Sequence, residues 1–474
     1  MARRGHVVLF PFMAQGHLIP FMALADLIQR RTRCTVTVVS TSLNVQKLRS
    51  SRPSSDPSDG VRFEELPFDS SDHGLPPGTE NADRLPFHQI LTLLEAAETL
   101  RPAFKRFVSG LRETGEPLCV VVDFLLGWSV DVVKEVGVFS SVLVTSGAYG
   151  SGVDFSIWMH LPHANTASDR FLVPEFPEAG FISRSQLSGN LKNTDGNDSW
   201  CKFVRRQLGA VFRSDGFLIN TVEALDEVGL KFYARKTGRP VWAIGTIVSE
   251  SSRSGSCGTE PRILEWLNQH PPSSVLFVAF GSMNTISASQ MMALAEALES
   301  SGKPFIWVVR PPIGFDINGE FQEQWLPPGF EARMNERKQG ILVRGWGPQL
   351  EILRHKSTGA FLSHCGWNSI LESLISGVPV IAWPLAAEQF FNSKMLVEQL
   401  GVCVEIAQGH SSDIDRDYVS SVIKMVLGDT KAGEEMKKNA RRAKEIMEAA
   451  VIEKEGCEGS SIKALDDFLN TVLS

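Results

Sequence analysis

Between Trp346 and Gln389 the chain gathers side chains suited to holding a phosphorylated, hydroxyl-rich ligand. A strand-like run, Gly359-Ala360-Phe361-Leu362-Ser363, turns through His364-Cys365-Gly366 into a helix that opens near Trp367-Asn368-Ser369 and closes at Gly377, before Pro379. A helix N-terminus presents unpaired N–H groups and the positive end of the helix dipole. With His364, Asn368 and Ser369 beside it, the place suits a phosphate or diphosphate. The aromatic face of Trp346, next to Pro348-Gln349, can stack on a nucleobase, and Glu388-Gln389 can hydrogen-bond hydroxyls. An ordinary buried βα unit accounts for the apolar residues of this stretch but not for its polar cluster.

Composition bounds what can position such a cluster. At 474 residues the chain is too long for one typical core, so two or three domains are expected. With 43% hydrophobic and 21% charged residues it reads as an ordinary globular protein. A net charge of −7 leaves no basic footprint, which argues against a nucleic-acid partner. Seven cysteines without a CxxC pair point to a reducing compartment and to no structural zinc. The apolar run His6–Met13 mimics a signal peptide, but it is brief, contains Pro11 and leads into Gln15-Gly16-His17, so a first β-strand is the better reading. No run of about twenty apolar residues occurs, so no membrane span is expected and the cytoplasm is the default location.

Strand and helix patterns then alternate. His6–Phe12 reads as a buried strand, 13–20 as a connecting loop, Phe21–Arg31 as a helix, Cys34–Ser42 as a strand and Asn44–Arg49 as a short helix. The first turn lacks G-x-G-x-x-G, which weakens a dinucleotide dehydrogenase. Apolar positions 93, 97, 100, 104, 107 and 111 describe a long helix bent at Pro102. Leu118–Val122 is a strand ending in Asp123, and Val142–Val144 one ending in Thr145-Ser146-Gly147, where ligands bind in open α/β sheets. Residues 149–200 read as irregular. A second series follows a Ser- and Gly-containing linker: Val275–Phe280, the Gly281-Ser282 turn, a helix over 288–300, strands at 304–309 and 340–343, a long insertion at 311–339, and helices over 434–450 and 460–473.

The 44 residues of 346–389 resemble the nucleotide-sugar box of plant family 1 UDP-glycosyltransferases. Trp346, Pro348, Gln349, His355, Gly359, the run His-Cys-Gly-Trp-Asn-Ser at 364–369, Glu372, Gly377, Pro379, Glu388 and Gln389 all coincide with it. The resemblance implies a GT-B fold, an α/β architecture of two Rossmann-like, doubly wound parallel-sheet domains facing across a cleft. The expected division is an acceptor-binding domain over 1–248, a linker over 249–261, a UDP-sugar-binding domain over 262–455, and a C-terminal helix in 456–474 that packs back on the first domain. A monomer is expected.

The same resemblance implies attack of an acceptor hydroxyl on the anomeric carbon of UDP-glucose with inversion. His17 would be the general base, and Asp123 the acid that fixes its tautomer and stabilises its charged form; read alone, they are a turn histidine and a helix N-cap. Trp346 would stack on uracil, Gln349 would lie beside the base or ribose, and Glu372 would accept the ribose hydroxyls from the same helical face as Asn368 and Ser369. His364, Asn368, Ser369 and Ser282 would bind the diphosphate. Trp367, Glu388 and Gln389 would hold the sugar, with Thr145 near its 6-position. Many relatives carry Asp at position 388, and Gln389 in place of His favours glucose over galactose. Neither cofactor nor metal is implied. The acceptor would be a flavonoid, another phenolic or a triterpenoid, against Phe87, His88 and Ala387. Another UDP-sugar, C-glycosylation, or a non-catalytic UDP-sugar or ligand-binding GT-B protein are the alternatives.

Overall fold

The computed structural model describes residues 5–50, 60–247, 261–410, 412–454 and 457–473. They build two compact units, one from residues up to 182 with 193–247 and 450–473, the other from 183–192 and 261–449. Residues 183–192 thus group with the second unit, and the chain re-enters the first at Ala450. The linker expected over 249–261 lies outside the described residues except for Pro261, which opens the helix Pro261–Asn268.

Strands β1 (His6–Phe10), β2 (Thr35–Thr41), β3 (Arg62–Leu66), β4 (Leu118–Asp123) and β5 (Phe139–Val144) come first along the chain. After a small two-stranded sheet of β6 (Arg170–Leu172) and β7 (Phe181–Ser183) follow β8 (Gly216–Ile219) and β9 (Val241–Ala243). The main sheet has the order β3-β2-β1-β4-β5-β8-β9, all parallel. Runs such as Leu118-Cys-Val-Val-Val are buried along their whole length, as strands covered on both faces must be. From β1 the chain winds one way and from β4 the other, so a topological switch point lies between these neighbours. Phe10 registers with Val122, and the residues that follow the two strands emerge at one edge.

The second unit repeats the scheme with β10 (Val275–Ala279), β11 (Phe305–Val309), β12 (Gly340–Arg344), β13 (Thr358–Ser363), β14 (Val380–Ala382) and β15 (Cys403–Glu405). Their order is β12-β11-β10-β13-β14-β15, again parallel, with the switch point between β10 and β13. Ala279 registers with Ser363, which brings Gly281-Ser282 and His364 out together.

Local departures from the sequence reading have physical causes. The first helix runs from Gln15 to Arg31 and contains Pro20, so His17 lies in its first turn and not in a loop. Proline there removes one hydrogen bond near the helix start, which the packed face outweighs. Ala148–His160, read as irregular, is a helix buried nearly all round and therefore without an amphipathic period. Gly152 lets it pack closely: a Cβ there would stand 2.8 Å from the Phe232 ring. The bend near Pro102 is a 3₁₀ turn at Glu98–Leu100, with the proline opening the helix Arg101–Glu113. The 311–339 stretch contains the helix Phe330–Glu336.

The terminal helix Ser460–Val472 belongs to the first unit. Leu465, Phe468 and Leu469 are fully buried in its core, and Trp242 donates through Nε1 to Asp467 at 2.7 Å. Phe468→Ala leaves a cavity against the Trp242 ring, 5.2 Å away. It should cost about 3–5 kcal/mol, measured by denaturant unfolding; a negligible loss would show that this helix does not hold the unit together.

Candidate active site

In the first unit, His17 and Asp123 meet at the switch point. His17 Nδ1 lies 2.8 Å from Asp123 Oδ2, with the carboxylate fully buried at the end of β4. Asp123 also accepts from Phe12 N at 3.2 Å and, as N-cap of the 3₁₀ turn Phe124–Leu126, from Leu125 N at 2.9 Å. One carboxylate therefore caps a turn and orients a histidine at once. Because a carboxylate only accepts, Nδ1 carries the proton and Nε2 keeps its lone pair. The His17 helix has no acidic residue in its first turn, so its dipole disfavours an imidazolium there; Asp123 opposes that effect. Gln15 N donates instead to a distant acid, Asp83 Oδ2, at 3.0 Å.

Thr145 is brought to the same place, Oγ1 being 3.4 Å from His17 Nδ1. The rings of Phe12 and Phe124 each lie 5.6 Å from the imidazole. Sequence reasoning missed both as apolar walls, although Phe124 directly follows a strand-end acid. Phe87 is exposed and stacks on Trp200 at 6.0 Å, and His88 is exposed beside it.

In the second unit the turn after β13 leads into the helix Trp367–Ile375, whose N-cap, Gly366, has no side-chain cap. Asn368 and Ser369 stand in the first turn, while Trp367 is buried. His364 is buried, and its Nδ1 has no partner among the described residues, as a donor waiting for a ligand would have. Gly281, at φ +80°, sits against this ring; a Cβ there would come within 2.6 Å of Nε2.

Gln349 Nε2 donates to Ser369 Oγ at 2.9 Å and to Glu372 Oε2 at 2.6 Å. Burial raises the Glu372 pKa, with the Gln349 hydrogen bond opposing it. Gln389 accepts through Oε1 from Leu385 N at 3.0 Å and Ala386 N at 2.9 Å, so only its amide N–H groups are left to serve a hydroxyl. Glu388 accepts from Asn392 Nδ2 at 3.4 Å. Trp346 is 68% exposed. Cys365 (φ 63°) and Ala387 (φ 49°) adopt left-handed backbone, a strain that collects at ligand sites. Arg310, which contacts Ser282 and Trp346, was not found by sequence; its place at a strand's carboxyl end was the available signal.

Burial lowers the His364 pKa from 6.5 to about 4, so the folded ring stays neutral where the unfolded chain takes up a proton. Its contribution to stability is intact above pH 6.5 and is lost as pH falls towards 4. Between pH 7.5 and 5 the loss should be about 2 kcal/mol. In unfolding titrations His364→Gln should lose less than the wild type over that interval; equal losses would refute the assignment.

Among the described residues no group of three His, Cys, Asp or Glu is placed to hold a metal ion. No described helix is long and apolar enough to cross a membrane.

A family model described as UDP-glucoronosyl and UDP-glucosyl transferase matches residues 260–446, and another, glycosyltransferase N-terminal domain, matches residues 5–156. The chain is 46% identical to UDP-glycosyltransferase 92A1 of Arabidopsis thaliana, over 99% of this chain and 98% of that protein. It is 42% identical to crocetin glucosyltransferase 3 of Crocus sativus, over 91% and 92%. The crystal structure of a Glycyrrhiza uralensis UGT complexed with glycyrrhetinic acid 3-O-monoglucuronide superposes with a TM-score of 0.85 at 27% identity, over 100% of this chain and 96% of that one.

Proposed function

The chain belongs to the plant family 1 UDP-glycosyltransferases, with their GT-B fold of two Rossmann-like domains, and on that premise we propose that it transfers glucose from UDP-glucose to a hydroxyl of a small apolar acceptor with inversion. The observation that carries this reading is the 2.8 Å pair of His17 Nδ1 and buried Asp123, which leaves Nε2 unprotonated. A protein that only bound UDP-sugar would have no use for an oriented base.

In this mechanism His17 Nε2 takes the acceptor proton as the acceptor oxygen attacks the anomeric carbon, and UDP leaves from the opposite face. Asp123 stabilises the imidazolium that forms. The N-terminus of the helix Trp367–Ile375, with Asn368, Ser369, Ser282 and the neutral ring of His364, receives the charge developing on the diphosphate. Trp346 stacks on uracil and Gln349 lies beside it. Glu372 accepts from the ribose hydroxyls, Trp367, Glu388 and Gln389 contact the sugar, and Thr145 lies near its 6-position. Phe12 and Phe124 line the acceptor's approach to His17, with Phe87, His88 and Ala387 as further walls. The acceptor class is a flavonoid, another phenolic or a triterpenoid; names of similar proteins include a flavonoid 3-O-glucosyltransferase and a scopoletin glucosyltransferase. With donors supplied by helix and side chains, the reaction calls for neither cofactor nor metal. A cytoplasmic monomer completes the reading.

The test is UDP release from UDP-glucose, with and without EDTA, against a panel of these acceptors, with product NMR. Turnover in EDTA to a β-glycoside supports the proposal. A retained configuration overturns the single displacement, and UDP binding without turnover from any UDP-sugar favours a binding protein.

A further inference from the structure

Arg310 follows β11, the strand that lies between β10 and β12 in the second sheet. The turn after β10 carries Gly281-Ser282, and the segment after β12 carries Trp346. From the middle of the three, the guanidinium reaches both neighbours. Nη1 donates to the Ser282 carbonyl, and Cζ lies over the Trp346 ring, 6.0 Å from its centroid. Trp346 stands between Gly345, at φ 87°, and Gly347, where a Cβ would come within 2.8 Å of Val308. The glycines admit the left-handed turn at Gly345 and the close approach of Gly347 to Val308, but the indole between them is largely exposed, so its own packing defines no single ring plane.

We propose that Arg310 is a positioning residue for the donor nucleotide. It holds one face of Trp346, leaves the other for the base, and ties that ring to the turn carrying Ser282, so that the base and diphosphate sites are set by one side chain. The inference rests on the donor-site reading given above. A planar guanidinium can donate in its plane to a carbonyl while its face lies on an indole; an ammonium cannot do both. Fixing the ring before the ligand arrives lowers the ordering cost of binding.

The test is calorimetry of UDP on the full chain, with steady-state kinetics in UDP-sugar. Arg310→Met should weaken UDP about tenfold, raising KM while kcat holds. Arg310→Lys should recover only part of the loss, and it carries the same comparison should the methionine variant not fold. In a Trp346→Ala background the Arg310→Met penalty should shrink, because the residue acts largely through that ring. An unchanged UDP affinity in Arg310→Met, or penalties that simply multiply, overturns the inference while the donor site stands. Absence of UDP binding by the wild type overturns the donor-site reading and the inference with it.

Discussion

His17→Ala should abolish transfer to acceptor hydroxyls, lowering kcat by about 10³–10⁴-fold, while UDP affinity is unchanged. A weakly acidic hydroxyl is a poor nucleophile until its proton leaves. Nε2 is the basic atom of a ring whose other nitrogen is held by Asp123. Every residue assigned to the uracil, ribose and diphosphate lies in the second unit, and His17 lies in the first. Binding and chemistry should therefore separate cleanly, with calorimetry of UDP intact and product formation lost. Undiminished turnover would remove His17 from the mechanism; parallel loss of UDP binding would mean that the substitution disturbs more than a base.

Asp123→Asn should cost nearly as much, about 10³-fold in kcat, for a reason that is not charge alone. The carboxylate accepts three hydrogen bonds, from His17 Nδ1, Phe12 N and Leu125 N. An asparagine has one accepting oxygen. If that oxygen keeps the Leu125 N cap, the amide N–H₂ takes the place of Oδ2, facing Phe12 N and His17 Nδ1, and the imidazole answers by moving its proton to Nε2, where it can no longer act as base. The double variant with His17→Ala should be hardly worse than either single one, because the two act as a unit. Kinetics of the three variants decide this; multiplied losses would show that Asp123 has a role independent of His17. Asp123→Ala is the poorer probe, since it also removes the cap of the turn Phe124–Leu126.

Much of this was readable along the chain where physics is local. Strands β1, β2, β4, β5, β10, β11, β12 and β13 lie where apolar runs predicted them, because parallel strands buried on both faces carry that pattern, whereas the half-exposed edge strand β3 and the three-residue strands β14 and β15 were not read as strands. The amphipathic helices over 434–450 and 460–473 were legible through their period, whereas Ala148–His160, apolar all round, had none. The start of the first helix was misplaced because Pro20 reads locally as a boundary, while the packed face that carries the helix through it lies elsewhere in the fold.

For the site, residue types and spacing were enough to name the βα turn at His364–Ser369 as a phosphate site, whereas His17 and Asp123 were singled out through the family resemblance, since read alone they are a turn histidine and an N-cap. The sequence by itself determined the two α/β halves, the family and the chemical inventory. Only the tertiary structure decided that Asp123 serves as both cap and partner, that Gln389 has spent its oxygen on backbone, that the Trp367 ring is packed inside, and that Arg310 reaches two other segments. Those facts depend on which strands become neighbours, as β1 with β4 and β11 with β10 and β12. Neighbourhood in a parallel sheet joins residues far apart in the chain, and local pattern carries no record of it.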